Sequence, residues 1–446
     1  MTTIDAQPVQ RRRTGRVIGL VGGGLVILLA GGYAVACAIA PVPAPTLALN
    51  ADVSTAFSLD DDDLRAAVDG ESAPTAIGWL DDDAVWENTT EAAPIASISK
   101  LVTALVTLER APLDGDGAVH VWSAADAARQ QQYREADGVA FPIAVGTEIT
   151  ARQMLELALI PSANDYAAAF AYSVFGDNES FLAAVRDWQD RQGLASLSLF
   201  EPTGMDERNA ASPGDVLRIA RLALADPTIA AIVSQPYATP VAEIGLVTST
   251  NPLFGVLDGV VGVKTGRTDV AGYNLAAART SDAAGREVTQ ISVVLGRETA
   301  QDRLTSSISM FSALDAAPST VTLVAAGEEF GALTGVDGAT VPVVAGAGVT
   351  AVLVPGEEGS RRATGDPAAI AAAARADGGD APDASAAADT SDAAGFRIAA
   401  GQRVGSLTVE TPVDGAAETD LTTAAALADP DYFWRLTHPR QLFGLG

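Results

Sequence analysis

The stretch APIASISK, residues 93–100, leads into an apolar run whose spacing predicts a buried helix that begins near Ser97. The apolar residues recur at helical intervals and are Leu101, Val102, Ala104, Leu105 and Leu108. Ser97 and Lys100 are one helical turn apart, so they share a face of that helix. A serine hydroxyl is a weak nucleophile until a base takes its proton, and a lysine whose pKa is lowered by burial is such a base. Alone, the pair also fits an N-cap serine followed by an exposed lysine.

Two later stretches supply the support that this pair needs. The tripeptide SAN, residues 162–164, follows a proline that ends a helix predicted over 151–160. The tripeptide KTG, residues 264–266, follows a strand predicted over 259–263. Each pattern is common alone, and the serine or asparagine of the first also fits a helix cap. The ordered set S-x-x-K, S-x-N and K-T-G at domain-scale spacing is specific.

On these three motifs the chain resembles the serine-type D-alanyl-D-alanine carboxypeptidases, the low-molecular-mass penicillin-binding proteins. The resemblance implies an α+β fold with a β-lactamase/transpeptidase-like catalytic domain, in which helices flank an antiparallel sheet. A small C-terminal β domain and an N-terminal transmembrane helix complete the expected architecture. The implied activity removes the terminal D-alanine from peptidoglycan stem peptides through an acyl-enzyme, and β-lactam antibiotics inhibit it. No metal or other cofactor is expected.

The resemblance also assigns catalytic roles to the residues that match its motifs. Ser97 is expected to attack the carbonyl between the two D-alanines, and Lys100 to accept its proton. Ser162 is expected to relay a proton to the departing D-alanine, and Asn164 to orient both the substrate amide and the base. The backbone N–H groups of Ser97 and Arg267 are expected to form the oxyanion hole.

The third motif and a later arginine are expected to bind the substrate's terminal carboxylate. Lys264 is expected to hold Ser162 and to add positive potential, and Thr265 to donate a hydrogen bond to the carboxylate. Gly266 allows a backbone or a ligand to approach closely. Arg303 resembles the family's carboxylate-binding arginine, although a surface arginine is the alternative interpretation.

Other functions remain open at this point. A β-lactamase or a peptidoglycan endopeptidase of the same fold would keep all three motifs. The chain lacks a Glu-x-x-x-Asn element of the kind that class A β-lactamases use for deacylation, which weighs against the first. A non-enzymatic cell-wall-binding protein with a relic site is a further alternative, which the complete set of motifs disfavours.

Composition excludes several classes of protein. With 28 basic and 56 acidic residues the net charge is −28, which repels nucleic acid. The two histidines, His120 and His438, are too few for a multi-histidine zinc centre, and there is no G-x-S-x-G elbow. The acidic runs 60–63 and 81–83 are predicted to be solvated faces rather than metal sites.

The N-terminal region predicts export and a membrane anchor. Residues 1–16 are polar and arginine-rich and form the predicted cytoplasmic tail, and residues 17–40 carry no charge. At 1.5 Å per residue this run can cross a hydrocarbon core of about 30 Å. Arginines before a span keep the N-terminus cytoplasmic, so the catalytic domain lies outside the cell membrane. A retained single-pass anchor is favoured over a signal peptide cleaved after Ala34-Val35-Ala36, which would leave a secreted protein.

The rest of the chain divides by composition. Residues 41–50 form a proline-rich linker, 51–317 the catalytic domain and 318–430 a β-rich C-terminal domain. Within the last, residues 357–394 are rich in Ala, Asp and Gly and predict a disordered insertion. Residues 431–446 form an aromatic tail that either lies at a membrane surface or packs onto the β domain.

Overall fold

The computed structural model describes residues 12–50, 56–376, 397–411 and 415–445. Two compact units are present. Residues 58–320 and 352–357 form the first, which carries all three motifs and is called the catalytic unit below. The remaining described residues form the second unit.

The second unit begins the chain. Its first elements are helix α1 (Arg12–Ile39) and strands β1 (Thr46–Leu49) and β2 (Ala56–Phe57). The segment Val21–Ile39 of α1 is long and apolar enough to cross a membrane, as a signal sequence would also be. Its side chains are almost all exposed.

Helices form a large part of the catalytic unit. They are α2 (Asp62–Asp69), α3 (Ser99–Arg110), α4 (Ala124–Glu135), α5 (Ala151–Leu159), α6 (Asn164–Phe175), α7 (Asn178–Gln192), α8 (Pro213–Ala225), α9 (Pro227–Val233) and α10 (Ala300–Ala316). Several begin at side-chain caps that the sequence supplies, as where Ser212 accepts from the backbone N–H of Asp215 ahead of Pro213.

An antiparallel sheet crosses the catalytic unit. Its strands are β3 (Thr75–Trp79), β4 (Trp86–Glu87), β11 (Val260–Thr268), β12 (Gly272–Ala283) and β13 (Arg286–Arg297), in the order β11-β12-β13-β3-β4. Three short pairs lie outside it: β5 (Ala93–Pro94) with β8 (Ala210–Ala211), β6 (Val119–Val121) with β7 (Glu148–Thr150), and β9 (Tyr237–Ala238) with β10 (Val247–Thr248). The predicted adjacent strands over 274–279 and 288–295 are confirmed as the β12–β13 pair.

Both faces of the sheet are buried. Along β12, Ala276 and Ala278 belong to the core formed with α3, α5, α6 and α8. Leu275 and Ala277, which alternate with them, belong to a second core that contains Phe311 of α10. Because successive side chains of a strand point to opposite faces, helices pack on both sides of the sheet. This arrangement confirms the predicted α+β class.

The second unit is built on a seven-stranded sheet of order β1-β15-β16-β21-β20-β18-β2. Its later elements are β14 (Ser319–Val324), β15 (Glu329–Thr334), β16 (Thr340–Ala345), β17 (Val349–Leu353), β18 (Gly359–Gly365), α11 (Pro367–Ala376), β19 (Arg397–Ile398), β20 (Arg403–Thr411), β21 (Gly415–Thr423), β22 (Leu427–Ala428), α12 (Tyr432–Thr437) and α13 (Pro439–Leu442).

Two sequence predictions are wrong in this unit. Part of the predicted linker over 41–50 is strand β1, which pairs in register with β15. The predicted disorder over 357–394 fails for its first part, where β18 pairs with β20 and α11 follows. The high alanine content was one reason to predict disorder in this segment, but alanine is also the best helix former. Residues 377–394 lie outside the described part of the chain.

Candidate active site

The first motif forms a tight turn followed by a buried helix. Ala96–Ile98 is one turn of 3-10 helix, and α3 begins at Ser99, close to the predicted start. Lys100 is only 1% exposed, and its Nζ donates to Ser97 Oγ at 2.7 Å. The alternative of an exposed lysine behind a capping serine therefore fails. The turn is strained, because Ala96 has a φ of +47°, in the left-handed region.

Lys100 is surrounded by acceptors. Besides Ser97, its Nζ donates to Asn164 Oδ1 at 2.5 Å and to the Thr203 carbonyl oxygen at 2.7 Å. Three donated bonds match the three protons of an ammonium group. Burial lowers the pKa of Lys100 to about 7, while the carboxylates of Glu201 and Asp165 oppose that shift. An amine that titrates near neutrality suits a general base.

The second motif lies in the short connection between α5 and α6. Ser162 has a φ of +71° and is 6% exposed, and Asn164 opens α6. Neither side chain caps that helix, whose N-cap is Ala163, so the capping interpretation fails. The backbone N–H of Asn164 donates to the Val139 carbonyl at 2.7 Å, which fixes the position of the amide that meets Lys100.

The third motif is part of β11 at the edge of the sheet. Lys264, Thr265 and Gly266 are all buried there. A Cβ on Gly266 would lie 2.5 Å from the Ile95 carbonyl oxygen and 3.2 Å from the Ser97 backbone nitrogen. Only glycine therefore lets β11 lie directly against the turn that carries Ser97, which is the close approach that the sequence predicted.

Among the described residues, Lys264 has fewer hydrogen-bond acceptors than Lys100. In this part of the chain its Nζ donates to the carbonyl oxygen of neighbouring Thr265 at 3.1 Å, and the expected bond to Ser162 is not formed. Burial lowers its pKa well below the usual value, and the nearby cations Lys100 and Arg303 lower it further. Lys264 therefore adds less positive potential to the site than the sequence predicted, unless an anion binds beside it.

The two arginines of the site differ in exposure. The side chain of Arg267 is 54% exposed and lies 3.6 Å from Asp269, so its expected part in the oxyanion hole rests on its backbone. Arg303, in the first turn of α10, is half-buried and its guanidinium lies 5.6 Å from the Tyr273 ring centre. Its Nε is buried and has no hydrogen-bond partner among the residues that the structure describes, which leaves a donor available to an anion.

The turn 201–206 is a part of the site to which sequence reasoning gave no role. Glu201 accepts hydrogen bonds from the backbone N–H groups of Thr203 and Gly204 at 2.7 and 2.6 Å. This holds the Thr203 carbonyl on Lys100. Gly204 has a φ of +86°, and a Cβ there would lie 2.0 Å from the Ala96 carbonyl oxygen. The Glu-Pro-Thr-Gly sequence signals a turn, but nothing in it reveals that the turn supports the base.

Thr250 is a second missed residue. Its hydroxyl and that of Thr265 lie 2.5 Å apart, so one donates to the other. Next to it, Asn251 donates through Nδ2 to the Gly262 carbonyl at 2.8 Å, which ties the preceding loop to β11. The Asn-Pro pair at 251–252 is typical of a loop, but this pattern alone does not indicate that the loop holds the third motif in place.

Comparisons with known proteins agree with this geometry. Residues 85–299 match the Peptidase S11 family, described as D-alanyl-D-alanine carboxypeptidase. A D-alanyl-D-alanine endopeptidase of Escherichia coli is 34% identical over 28% of this chain and 38% of its own length. A D-alanyl-D-alanine carboxypeptidase of Mycobacterium tuberculosis is 31% identical over 40% of this chain and 59% of its own length.

A solved structure supports the fold. A peptidoglycan synthesis regulatory factor of Streptococcus pneumoniae aligns with a TM-score of 0.51 at 19% identity. The alignment covers 79% of this chain and 98% of that one. The family match spans all three motifs, from before Ser97 to beyond Lys264. The matched residues 85–299 lie within the catalytic unit, so it is this unit that is similar to the D-alanyl-D-alanine carboxypeptidase family.

Proposed function

We propose that the chain is a serine-type D-Ala-D-Ala carboxypeptidase that removes the terminal D-alanine from peptidoglycan stem peptides. The observation that carries this proposal is the 2.7 Å hydrogen bond between a fully buried Lys100 amine and the Ser97 hydroxyl. This contact pairs a nucleophile with its base. The chain spans 38% and 59% of the lengths of the two curated relatives described above.

In the first step Ser97 Oγ forms a bond to the carbonyl carbon between the two D-alanines, and neutral Lys100 takes the hydroxyl proton. The carbonyl oxygen becomes an oxyanion, for which the backbone N–H groups of Ser97 and Arg267 are the proposed donors. Collapse breaks the C–N bond, and Ser162 relays a proton to the leaving D-alanine nitrogen. Water then hydrolyses the ester to release the shortened peptide and restore Ser97. Asn164 orients the substrate amide.

Three groups are proposed to recognise the terminal carboxylate. Lys264 and the unpartnered Nε of Arg303 supply cationic donors, and Thr265 supplies a hydroxyl. An incoming carboxylate would raise the pKa of Lys264, because an opposite charge favours the ammonium form. Recognition and protonation are thus coupled at this lysine. Gly266 keeps the edge of β11 free of a side chain where the substrate backbone would lie.

Release of free D-alanine tests the activity. We expect the full chain to liberate D-alanine from diacyl-Lys-D-Ala-D-Ala and to be acylated by benzylpenicillin. Peptide bond cleavage confined to cross-linked peptide dimers would favour an endopeptidase, the activity named for the Escherichia coli relative. Rapid turnover of penicillin would indicate a β-lactamase. Absence of both acylation and D-alanine release would indicate a cell-wall-binding protein with a relic site.

We also propose that residues 17–40 anchor the chain in the cell membrane with the catalytic unit on the extracytoplasmic side, where its substrate is found. Support comes from the apolar, exposed segment Val21–Ile39 and the arginines before it. Alkaline extraction of membranes tests this, because a single-pass protein stays in the pellet. Release of the full-length chain into the supernatant would contradict the proposal.

A further inference from the structure

The C-terminal tail folds onto the end of helix α1. Tyr33 of α1 donates its hydroxyl proton to the Leu436 carbonyl at 2.6 Å, and Tyr432 donates to the Ala34 carbonyl at 3.2 Å. Nearly the whole length of the chain separates these partners. Below them, a small buried cluster joins Cys37 and Ala40 of the N-terminal region to Leu442 of α13. The tail, defined here as residues 429–445, therefore has a specific docking site.

Arg435 caps the end of α1. It is 5% exposed and donates through Nη1 to the carbonyl oxygens of Ala38 and Ala40 at 3.2 and 3.4 Å. The last carbonyls of a helix lack partners within the helix, and a cation there also meets the negative end of the helix dipole. Asp429 holds the guanidinium from the other side at 3.3 Å. A buried arginine placed in this way fits a helix end that stays in the mature protein.

The tail exposes several apolar and aromatic side chains. Phe433 is 74% exposed, and Tyr432, Phe443 and Leu445 are also exposed. The hydroxyl of Tyr432 contacts Ala34, near the end of the apolar segment Val21–Ile39 of α1. Aromatic side chains with one apolar and one polar end favour the interface between hydrocarbon and water.

Charge supports the same location. In the tail, Asp429 and Asp431 are balanced by Arg435 and Arg440, whereas the whole chain carries −28. An anionic lipid surface repels the acidic bulk of the chain but not this segment. Because the charges of the tail balance, the tail can lie on such a surface without electrostatic repulsion.

From these contacts we propose that the tail is a membrane-interface collar. It lies in the lipid headgroup region around the exit of α1, caps that helix and requires that α1 be retained. Cleavage after Ala36 would remove Tyr33 and Ala34, and with them both tyrosine hydrogen bonds between α1 and the tail. It would also leave Arg435 without a helix end to cap. The inference rests on the proposed membrane anchoring of the chain. It adds that the tail itself contacts the lipid headgroups.

Docking can be tested with the single native cysteine. Leu442→Cys places a second thiol in the buried cluster that contains Cys37. Mild oxidation of the full chain in membranes should join the N-terminal and C-terminal tryptic peptides. Leu445→Cys, at an exposed position of the same tail, is the matched control and should cross-link at least several-fold less. Equal yields at the two positions would overturn the docking, and a mature mass that lacks residues 1–36 would overturn the retention of α1.

Lipid contact needs a separate readout. In a Cys37→Ala background, Phe433→Cys is labelled with an environment-sensitive fluorophore, and the full chain is reconstituted into phosphatidylethanolamine–phosphatidylglycerol vesicles. Headgroup spin-labelled lipid should quench this probe several-fold more than the same probe at Leu246→Cys, an exposed position of the catalytic unit. Equal quenching at both positions would overturn the collar. Penicillin acylation of the same samples shows whether the proposed enzyme is intact, so the two proposals fail separately.

Discussion

Two buried lysines of the catalytic unit have opposite surroundings. Lys100 and Lys264 are each 1% exposed, so burial disfavours the charge of both. Lys100 donates to three oxygen acceptors and has the carboxylates of Glu201 and Asp165 nearby. Lys264 has the Thr265 carbonyl and two neighbouring cations. The surroundings of Lys100 thus hold its pKa near neutral pH, whereas the described residues around Lys264 supply no anion.

The difference indicates a division of labour. Lys100 is compensated by the protein itself, which leaves its pKa about 7 and lets it gain and lose a proton during turnover. Lys264 is left for the substrate to compensate, because a carboxylate is the partner that its surroundings lack. The predictions below test this contrast, from the largest expected effect to the smallest.

Replacing the base should have the largest effect. Lys100→Met keeps the length of the side chain and removes the amine, so acylation by benzylpenicillin should fall by about 10²–10⁴-fold. Stopped-flow or gel-based labelling measures this rate, and an unchanged circular dichroism spectrum shows that the fold survives. A variant that is folded and acylated at the normal rate would show that another group activates Ser97.

Replacing the second lysine should damage recognition more than chemistry. Lys264→Met removes the charged hydrogen bond that Lys264 is proposed to form with the substrate's carboxylate, so kcat/KM for a peptide ending in D-Ala-D-Ala should fall about 10- to 100-fold. The matched comparison is the same peptide with a C-terminal amide, on which the variant and the parent should differ much less. Equal losses on both peptides would contradict a carboxylate-binding role.

The pH dependence of acylation should report Lys100. Only the neutral amine can accept the serine proton, so the acylation rate should fall about tenfold for each pH unit below a midpoint near 7, where the pKa of Lys100 lies. At higher pH the rate should level off. A rate that stays constant between pH 5 and pH 8 would mean that Lys100 does not act as the base.

The smallest effect should come from a carboxylate that does not touch the nucleophile. Asp165 accepts from the Gln130 amide at 2.7 Å and raises the pKa of Lys100. Asp165→Asn removes the charge at nearly constant shape, so the acidic limb of the acylation profile should move to lower pH. Its thermal midpoint provides the control for a structural defect. A limb that moves to higher pH would contradict the electrostatic role.

The sequence predicted those parts of the site that are side chains within the three motifs. Ser97, Lys100 and Asn164 were identified from the three motifs and the family resemblance that they carry, and the structure brings them within hydrogen-bond reach. The Thr203 carbonyl was missed, because which backbone oxygen meets a base depends on packing between distant segments. Strand β1 was missed for a similar reason: four residues after a proline-rich stretch carry too little pattern, and their partner strand is far along the chain.

The docked tail illustrates the same limit. Its aromatic composition indicated an interface, while the contact of Arg435 with the end of α1 joins residues that no local pattern connects. The sequence left two alternatives for the tail, a membrane surface or packing onto the β domain. The structure shows contacts between the tail and α1, which neither alternative named, and the exposed Phe433 leaves the membrane surface as a proposal.

The most direct test of the central claim, that Ser97 is the nucleophile of this site, is the intact mass of the full chain after benzylpenicillin treatment, with peptide mapping of the adduct. We predict one adduct, located on Ser97, absent from Ser97→Ala and retained in Ser99→Ala. Ser99 is the matched comparison because its buried hydroxyl is engaged with the Ala96 carbonyl at 2.7 Å. An adduct on any other residue, or one that persists in Ser97→Ala, would contradict the account.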